Sequence, residues 1–251
     1  MSEVGRSLQT LWVIFKHEFS LFFISPIVYF IGAGWLFFAG LFFTFAMNDY
    51  NSGYAEPGMA SVLGSLAFLL IFIAPAITMR MISEEIRTGT HELLFTAPVR
   101  DWEIVVGKWL GAWGVLTIFI LLTVPYPLIL VWRGTPDTGL MLAGYLGIWL
   151  LAGAVLAIGI LTSALSQYQL VAFMIGMAAL IALWLADAFA SLVSGVVASN
   201  VMTEITLQGH YHDTMLSRGL INPLDVGYFV GMIVLSLFIA TQVLGTRRWR
   251  A

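Results

Sequence analysis

Ionisable side chains are sparse in this chain, and the few that gather define the chemistry open to it. The densest group lies between Met81 and Glu103, where Glu84, Glu85, Arg87, Glu92, Arg100, Asp101 and Glu103 share a stretch with Leu93, Leu94 and Phe95. Charged and apolar residues mixed at that density suit docking onto another protein. Bond-making chemistry has no such foothold: no Ser-His-Asp elbow and no paired carboxylates facing a shared cavity emerge, so the chain does not read as an enzyme. His210, His212 and Asp213 are metal-ligand types in a tight cluster, suited to zinc or copper. No fourth ligand accompanies them, which favours a polar loop, and no metal site is assigned. Asp187 closes an apolar run; a carboxylate inside a membrane is costly, but at the edge of a run a cap or turn role is expected. His17 and His91 stand alone and read as interfacial polar residues. Gly107-Lys108 is followed by Trp109 and lacks the upstream glycine of a phosphate-cradling Gly-x-x-x-x-Gly-Lys-Ser/Thr loop. No cofactor is therefore expected in this chain.

The elements that must carry these residues are membrane helices. Of 251 residues, 60% are hydrophobic and only 10% charged, with a mean hydropathy of +0.93, against about a quarter charged in soluble domains. No cysteine is present, which excludes thiol chemistry. About 20 apolar residues cross the hydrocarbon core, and six such runs are expected: Pro26 to Met47, Met59 to Met79, Ile104 to Val131, Leu140 to Leu165, Leu170 to Ala186 and Val226 to Leu244. Their length and lack of alternation make them helices, not barrel strands. Met1 to Ser7 is polar and Lys16, His17 and Glu18 interrupt the first apolar stretch, so a cleaved signal is not expected. Leu8, Leu11, Trp12, Ile14, Phe15 and Phe19 make one apolar face, with Lys16 and Glu18 elsewhere, which predicts an amphipathic helix over residues 8–19 lying in the interface. The expected fold is thus an all-α polytopic membrane protein, residues 1–251 forming a single transmembrane domain with six spans.

Basic residues orient the spans. With the N-terminus inside, Arg6, Lys16, Arg80, Arg87, Arg100, Lys108, Arg247, Arg248 and Arg250 fall on the cytoplasmic side, leaving Arg133 and Arg218 outside. Both termini and the segment 81–103 are then cytoplasmic. The segment 187–225 lies outside, and its apolar start, Ala188 to Ala198, predicts short re-entrant helices dipping into the outer leaflet.

Within 81–103, Thr88-Gly89-Thr90 predicts a turn, Thr90 a helix cap, and Pro98 the end of a helix of roughly two turns over residues 91–97. Spacing leaves two readings open: a helix seated on a soluble motor, or an ordinary charged inner loop. Gly107 and Gly111, and Gly227 and Gly231, are spaced for close helix approach, with internal packing favoured over a dimer seam. The tryptophans, Trp12, Trp102, Trp109, Trp132 and Trp249 among them, read as an aromatic belt. Pro75 and Pro125-Tyr126-Pro127 should kink their spans.

Glu84-Glu85-Ile86-Arg87-Thr88-Gly89-Thr90-His91-Glu92-Leu93-Leu94, then Pro98-Val99 and Ile104-Val105-Val106-Gly107-Lys108, resemble the pattern of ABC type-2 transporter permeases. Lys16-His17-Glu18-Phe19 with Ser25-Pro26, and His212 through Phe229, resemble the gliding-motility GldF-like and NosY-like branch. The resemblance implies the membrane subunit of an ATP-driven transporter, with ATP and Mg on a separate cytoplasmic ABC ATPase subunit. It implies a second permease copy or paralogue beside this one, in the bacterial cytoplasmic membrane among its lipids. An auxiliary membrane or outer protein is a further partner it allows, and no nucleic acid is expected. Glu84, Glu85, Arg87, Gly89, Thr90, Glu92, Leu93, Leu94 and Pro98 would then be the ATPase-coupling residues, with Gly89 the hinge. Leu11, Trp12, Phe15, Lys16 and Glu18 would belong to the interfacial helix that connects to the ATPase. Export is implied by the resemblance alone, and few charges in the spans suit an apolar or amphipathic substrate. The alternative is a non-transporting anchor or mechanical component of an ABC-type machine; an ion-coupled carrier is disfavoured by the scarcity of ionisable residues in the spans.

Overall fold

The computed structural model describes residues 3–53, 58–89, 99–190, 201–202 and 204–248, and the regular structure among them is helical throughout. α1 (Glu3–Ile24) leads through Ser25 into α2 (Pro26–Asn51), and α3 (Ala60–Thr78) is followed by the short α4 (Ser83–Thr88). Then come α5 (Asp101–Leu121), α6 (Pro125–Arg133), α7 (Thr138–Leu165), α8 (Gln169–Trp184) and α9 (Ala186–Ala190). A π-helical segment, Gly209–Leu216, and α10 (Pro223–Arg248) complete the described chain.

Among the described residues, five stretches are long and apolar enough to cross a membrane: Pro26–Asn51, Ala60–Thr88, Asp101–Arg133, Thr138–Leu165 and Pro223–Thr246. The sixth expected span, Leu170 to Ala186, falls short. Its helix α8 has 16 residues, about 24 Å at roughly 1.5 Å per residue, against a hydrocarbon core of about 30 Å. The helix stops at Leu185, and α9 begins anew at Ala186. The run in sequence does not reveal such a stop, because Trp184, Leu185 and Ala186 are all apolar and the first charged residue, Asp187, comes only after it.

The third span is divided, not merely kinked. α5 ends at Leu121 and α6 starts with Pro125 at its first position, where a missing N–H costs nothing because that group would have no helical partner. The break leaves carbonyls without their usual donors. Tyr145 of α7 supplies one, its hydroxyl donating to the Thr123 carbonyl at 3.1 Å.

α7 is the central helix and the most buried of the five spans, with α3, α5, α8, α10 and the π-helical segment all packed on it. Its sequence explains this: Ala143, Gly144, Gly147, Ala152, Gly153, Ala154, Ala157, Gly159, Ser163 and Ala164 offer small side chains on every side, and small residues let helices approach closely where lipid supplies no hydrophobic drive. Tyr211 and Met215 lie where a Cβ on Gly147 would stand, at 2.9 and 2.8 Å. The described part of the segment 187–225 is therefore packed into the bundle, with Tyr211, Met215 and Leu216 buried. α2 sits at the opposite extreme, the least buried span, with Phe30 83% exposed.

Two expectations are corrected by this packing. The tryptophans are not simply a belt: Trp109, Trp113 and Trp149 stack in a row between α5 and α7, with ring centroids 4.7 and 4.2 Å apart. Each indole N–H is used inside, Trp109 on the Gly153 carbonyl, Trp113 on the Trp149 carbonyl and Trp149 on Thr117 Oγ1. Trp35 is likewise buried, donating to the Phe119 carbonyl at 3.0 Å. The amphipathic helix expected over 8–19 is the longer α1, and it runs alongside α5. Ile14, Glu18 and Phe19 meet Gly107, Gly111 and Gly114 in the same order, so the two helices point the same way.

Candidate functional site

The glycines of α5 create the site. A Cβ on Gly107 would stand 2.5 Å from Ile14 Cγ2, and one on Gly111 2.8 Å from Glu18 Cβ, so their absence is what lets α1 lie against α5. Glu18 is thereby delivered to Lys108, one residue past Gly107. From the other side, Ser163 of α7 fixes the chain between α3 and α4. Its hydroxyl accepts from the backbone N–H of Ile82 and of Ser83, both at 3.1 Å, and donates to the Met79 carbonyl at 3.3 Å. That uses the full capacity of a hydroxyl. Ser83 also donates to the Met79 carbonyl. α4 is held in the direction that carries Glu85 to the same lysine.

Lys108 is the meeting point. Its Nζ lies 2.7 Å from Glu18 Oε1 and 2.7 Å from Glu85 Oε1, and the residue is only 3% exposed. One ammonium thus joins α1, α4 and α5. A buried charge requires such pairing, and here two carboxylates face a single cation. Around the junction opens a cavity of about 400 Å3, lined by Glu18, Phe22, Arg80, Glu84, Glu85 and Lys108 among others. Arg80 reaches across to donate to Ser25 Oγ at 2.8 Å.

The residues singled out in the sequence fall into three groups. Glu85 and Glu18 are brought together on Lys108. Glu84 and Arg87 form a loose exposed pair on α4 at 3.9 Å, and Gly89 ends α4 in the left-handed conformation, φ +73°. Leu11 and Phe15 are half-buried, while Trp12 and Lys16 are exposed on α1. Thr90, Glu92, Leu93, Leu94 and Pro98 lie outside the described residues, as does the helix expected over 91–97. Among the described residues, a Cβ on Gly227 or Gly231 would meet nothing within 4 Å. Lys108, Arg80 and Ser163 were not anticipated as site residues. Lys108 carried a usable signal, the lone charge inside the run Ile104 to Val131; Ser163, one small residue in an apolar helix, carried none.

At the other end, the group of His210, His212 and Asp213 is divided. His210 turns to Asp225 of α10, Nδ1 to Oδ1 at 2.7 Å, with Nε2 2.9 Å from the Glu204 carbonyl and its ring stacked 3.9 Å from that of Tyr228. His212 faces its neighbour Asp213 at 3.4 Å. Among the described residues, no three such side chains converge on a metal position. Burial pushes the Tyr211 phenol well above its ordinary value, and its hydroxyl has no partner among the described residues. A groove of about 750 Å3 opens beside this segment, lined by Phe42, Phe68 and Trp184 and by Ser61, Ser65, Gln208 and His212 among others.

Several apolar spans around a helix of small residues define a multi-pass membrane protein, and the charged junction sits where three of its elements meet. Residues 12–241, nearly the whole chain, match the family described as ABC-2 family transporter protein, and the chain belongs to that family. It is a transmembrane permease component of an ABC transporter, without an ATPase of its own, and its family works in association with an ABC ATPase subunit. No curated protein matches the chain.

Proposed function

We propose that this chain is the permease of an exporter of apolar or amphipathic molecules, moved by a separate cytoplasmic ATPase through the segment 81–103. The observation that carries the reading is the junction at Lys108, which ties α1, α4 and α5 to one ammonium. A push delivered to α4, six residues long and ending at a left-handed Gly89, would reach α1 and α5 together, as a rigid-body transition requires. Arg87, Thr90, Glu92, Leu93, Leu94 and Pro98 would meet the ATPase directly, with Glu84 lining the cavity behind them, and Trp12 and Lys16 would add the face of α1. Glu85 and Glu18 would act one step behind them, as the residues that pass the displacement on.

An amphipathic substrate is supported by the groove beside the outer segment, with aromatic walls from Phe42, Phe68 and Trp184 and hydroxyl and amide groups at its edge. α8 and α9 together would complete a sixth crossing, the break at Leu185 notwithstanding, which returns both termini to the cytoplasmic side of the bacterial membrane. A second permease copy or paralogue would cover the aromatic face of α2. The likeness of the two ends of the chain to the GldF-like and NosY-like branch supports placing it within that branch of the family.

The test is affinity isolation of the tagged chain in mild detergent with an ATP hydrolysis assay. The expected result is a stoichiometric ATPase subunit, lost when Leu93 and Leu94 are both changed to Asp while membrane insertion persists. Undiminished co-isolation of the ATPase by that double variant removes the coupling assignment.

A further inference from the structure

We propose that the cavity between α1, the start of α2 and α4 binds the head group of a membrane phospholipid carrying both a phosphate and a primary ammonium, of the phosphatidylethanolamine kind. The inference rests on the membrane placement of the chain and not on what it transports. Arg80 is the first observation. Its guanidinium is half-buried at the cavity wall, its hydrogen bond goes to the neutral hydroxyl of Ser25 at 2.8 Å, and among the described residues no carboxylate lies within ion-pairing distance of it. A guanidinium has five donors in a planar fork suited to phosphate. The second observation is the charge of the walls. Lys108 is consumed by Glu18 and Glu85, whereas among the described residues the ion pair of Glu84 is the loose one with Arg87 at 3.9 Å, worth little at that exposure. Arg80 and Lys108 against Glu18, Glu84 and Glu85 leave the lining one negative charge in excess. A purely anionic head group meets that excess unfavourably; one that places phosphate on Arg80 and ammonium on Glu84 is matched at both ends.

The apolar side of the cavity says why the ligand is a lipid. Leu21, Phe22 and Ile24 line it beside the charges, and Ile24, Ile27 and Phe30 continue outward along the end of α1 and the start of α2 as an exposed apolar track. Acyl chains would follow that track. A choline head group offers the same phosphate to Arg80 but has no N–H to donate to Glu84.

Native mass spectrometry of the purified full chain, titrated with phosphatidylethanolamine, phosphatidylcholine and phosphatidylglycerol of identical acyl chains, tests this. Wild type is expected to retain one phosphatidylethanolamine, preferred roughly tenfold over either competitor, as one charge-assisted hydrogen bond allows. R80Q should lose roughly tenfold of that retention and R80K recover part of it, while E84Q should bring phosphatidylethanolamine down to the level of phosphatidylcholine. Equal retention of the three lipids by wild type, a preference for phosphatidylglycerol, or wild-type selectivity in E84Q overturns the proposal. Glu84 is exposed, so E84Q decides the matter even where R80Q does not purify as a single species.

Discussion

Replacing Lys108 by Met removes the cation on which Glu18 and Glu85 converge. The two carboxylates, with side chains 13% and 28% exposed, are then left facing one another without the cation that both contact. Orphaning a buried charge costs about 3–5 kcal/mol. The partial exposure of Glu85 admits some water, which places the expected loss near the low end, about 3 kcal/mol. At roughly 2–4 °C per kcal/mol for a chain of this size, thermal unfolding of the purified protein should begin about 6–12 °C earlier. Removing the charges together reverses the penalty: the variant E18Q/E85Q/K108M should regain most of the loss, since a buried ionic group replaced as a whole is often neutral. The same triple variant separates holding from transmitting. If the junction passes displacement from α4 to α1 and α5, the triple variant melts near wild type yet hydrolyses ATP with its partner without transport. A K108M protein that unfolds at the wild-type temperature refutes the electrostatic argument, and a fully active triple variant refutes transmission through the junction.

Ser163→Ala leaves the N–H groups of Ile82 and Ser83 buried without an acceptor, at about 1–3 kcal/mol each, and should expose the α3–α4 turn to faster amide exchange; unchanged protection at those two amides would count against it. Gly107→Ala forces its methyl into Ile14 and should destabilise by about 1–3 kcal/mol, with Ile14→Ala in the same chain restoring most of the melting temperature. His210→Ala strips Asp225 of its partner inside the first turn of α10 and should cost about 3 kcal/mol, read as earlier cleavage of the 201–216 region by added protease. Tyr211→Phe removes a buried hydroxyl with no partner and should be neutral or stabilising by about 1 kcal/mol near pH 7. Because burial raises the Tyr211 phenol in the folded protein, its contribution is present below the unfolded value of about 10 and is lost as pH climbs beyond it. Tyr211→Phe should therefore blunt the alkaline fall in stability.

How far the sequence foretold this architecture depends on the kind of signal each element carries. Spans such as Pro26–Asn51 and Thr138–Leu165 are legible because composition and length suffice. The stop at Leu185 was not, since Trp184, Leu185 and Ala186 are all apolar and the charge at Asp187 comes only after the helix has ended. Gly107 and Gly111 were legible as a close-approach pair, but their partner, Ile14 and Glu18 of α1, was not, because helix-to-helix register has no one-dimensional signature. The same gap explains the tryptophans: Trp109 and Trp113 sit four apart on α5, yet the ring that completes their stack, Trp149, comes from α7. Of the junction, the three charged residues were visible individually, and their convergence was not.

The parallel seating of α1 on α5 also constrains how the protein is made. Synthesis proceeds from the N-terminus, so Glu18 leaves the ribosome 90 residues ahead of Lys108, and Glu85 23 residues ahead of it. Until then α1 does not have α5 to lie against. Lys108, emerging within an apolar stretch, is the last of the three to arrive and enters an environment already supplied with both counter-charges. The order of the three residues along the chain thus spares the translocation machinery an unpaired ammonium, and a circular permutant that delivers α5 before α1 would meet that obstacle at the moment of insertion.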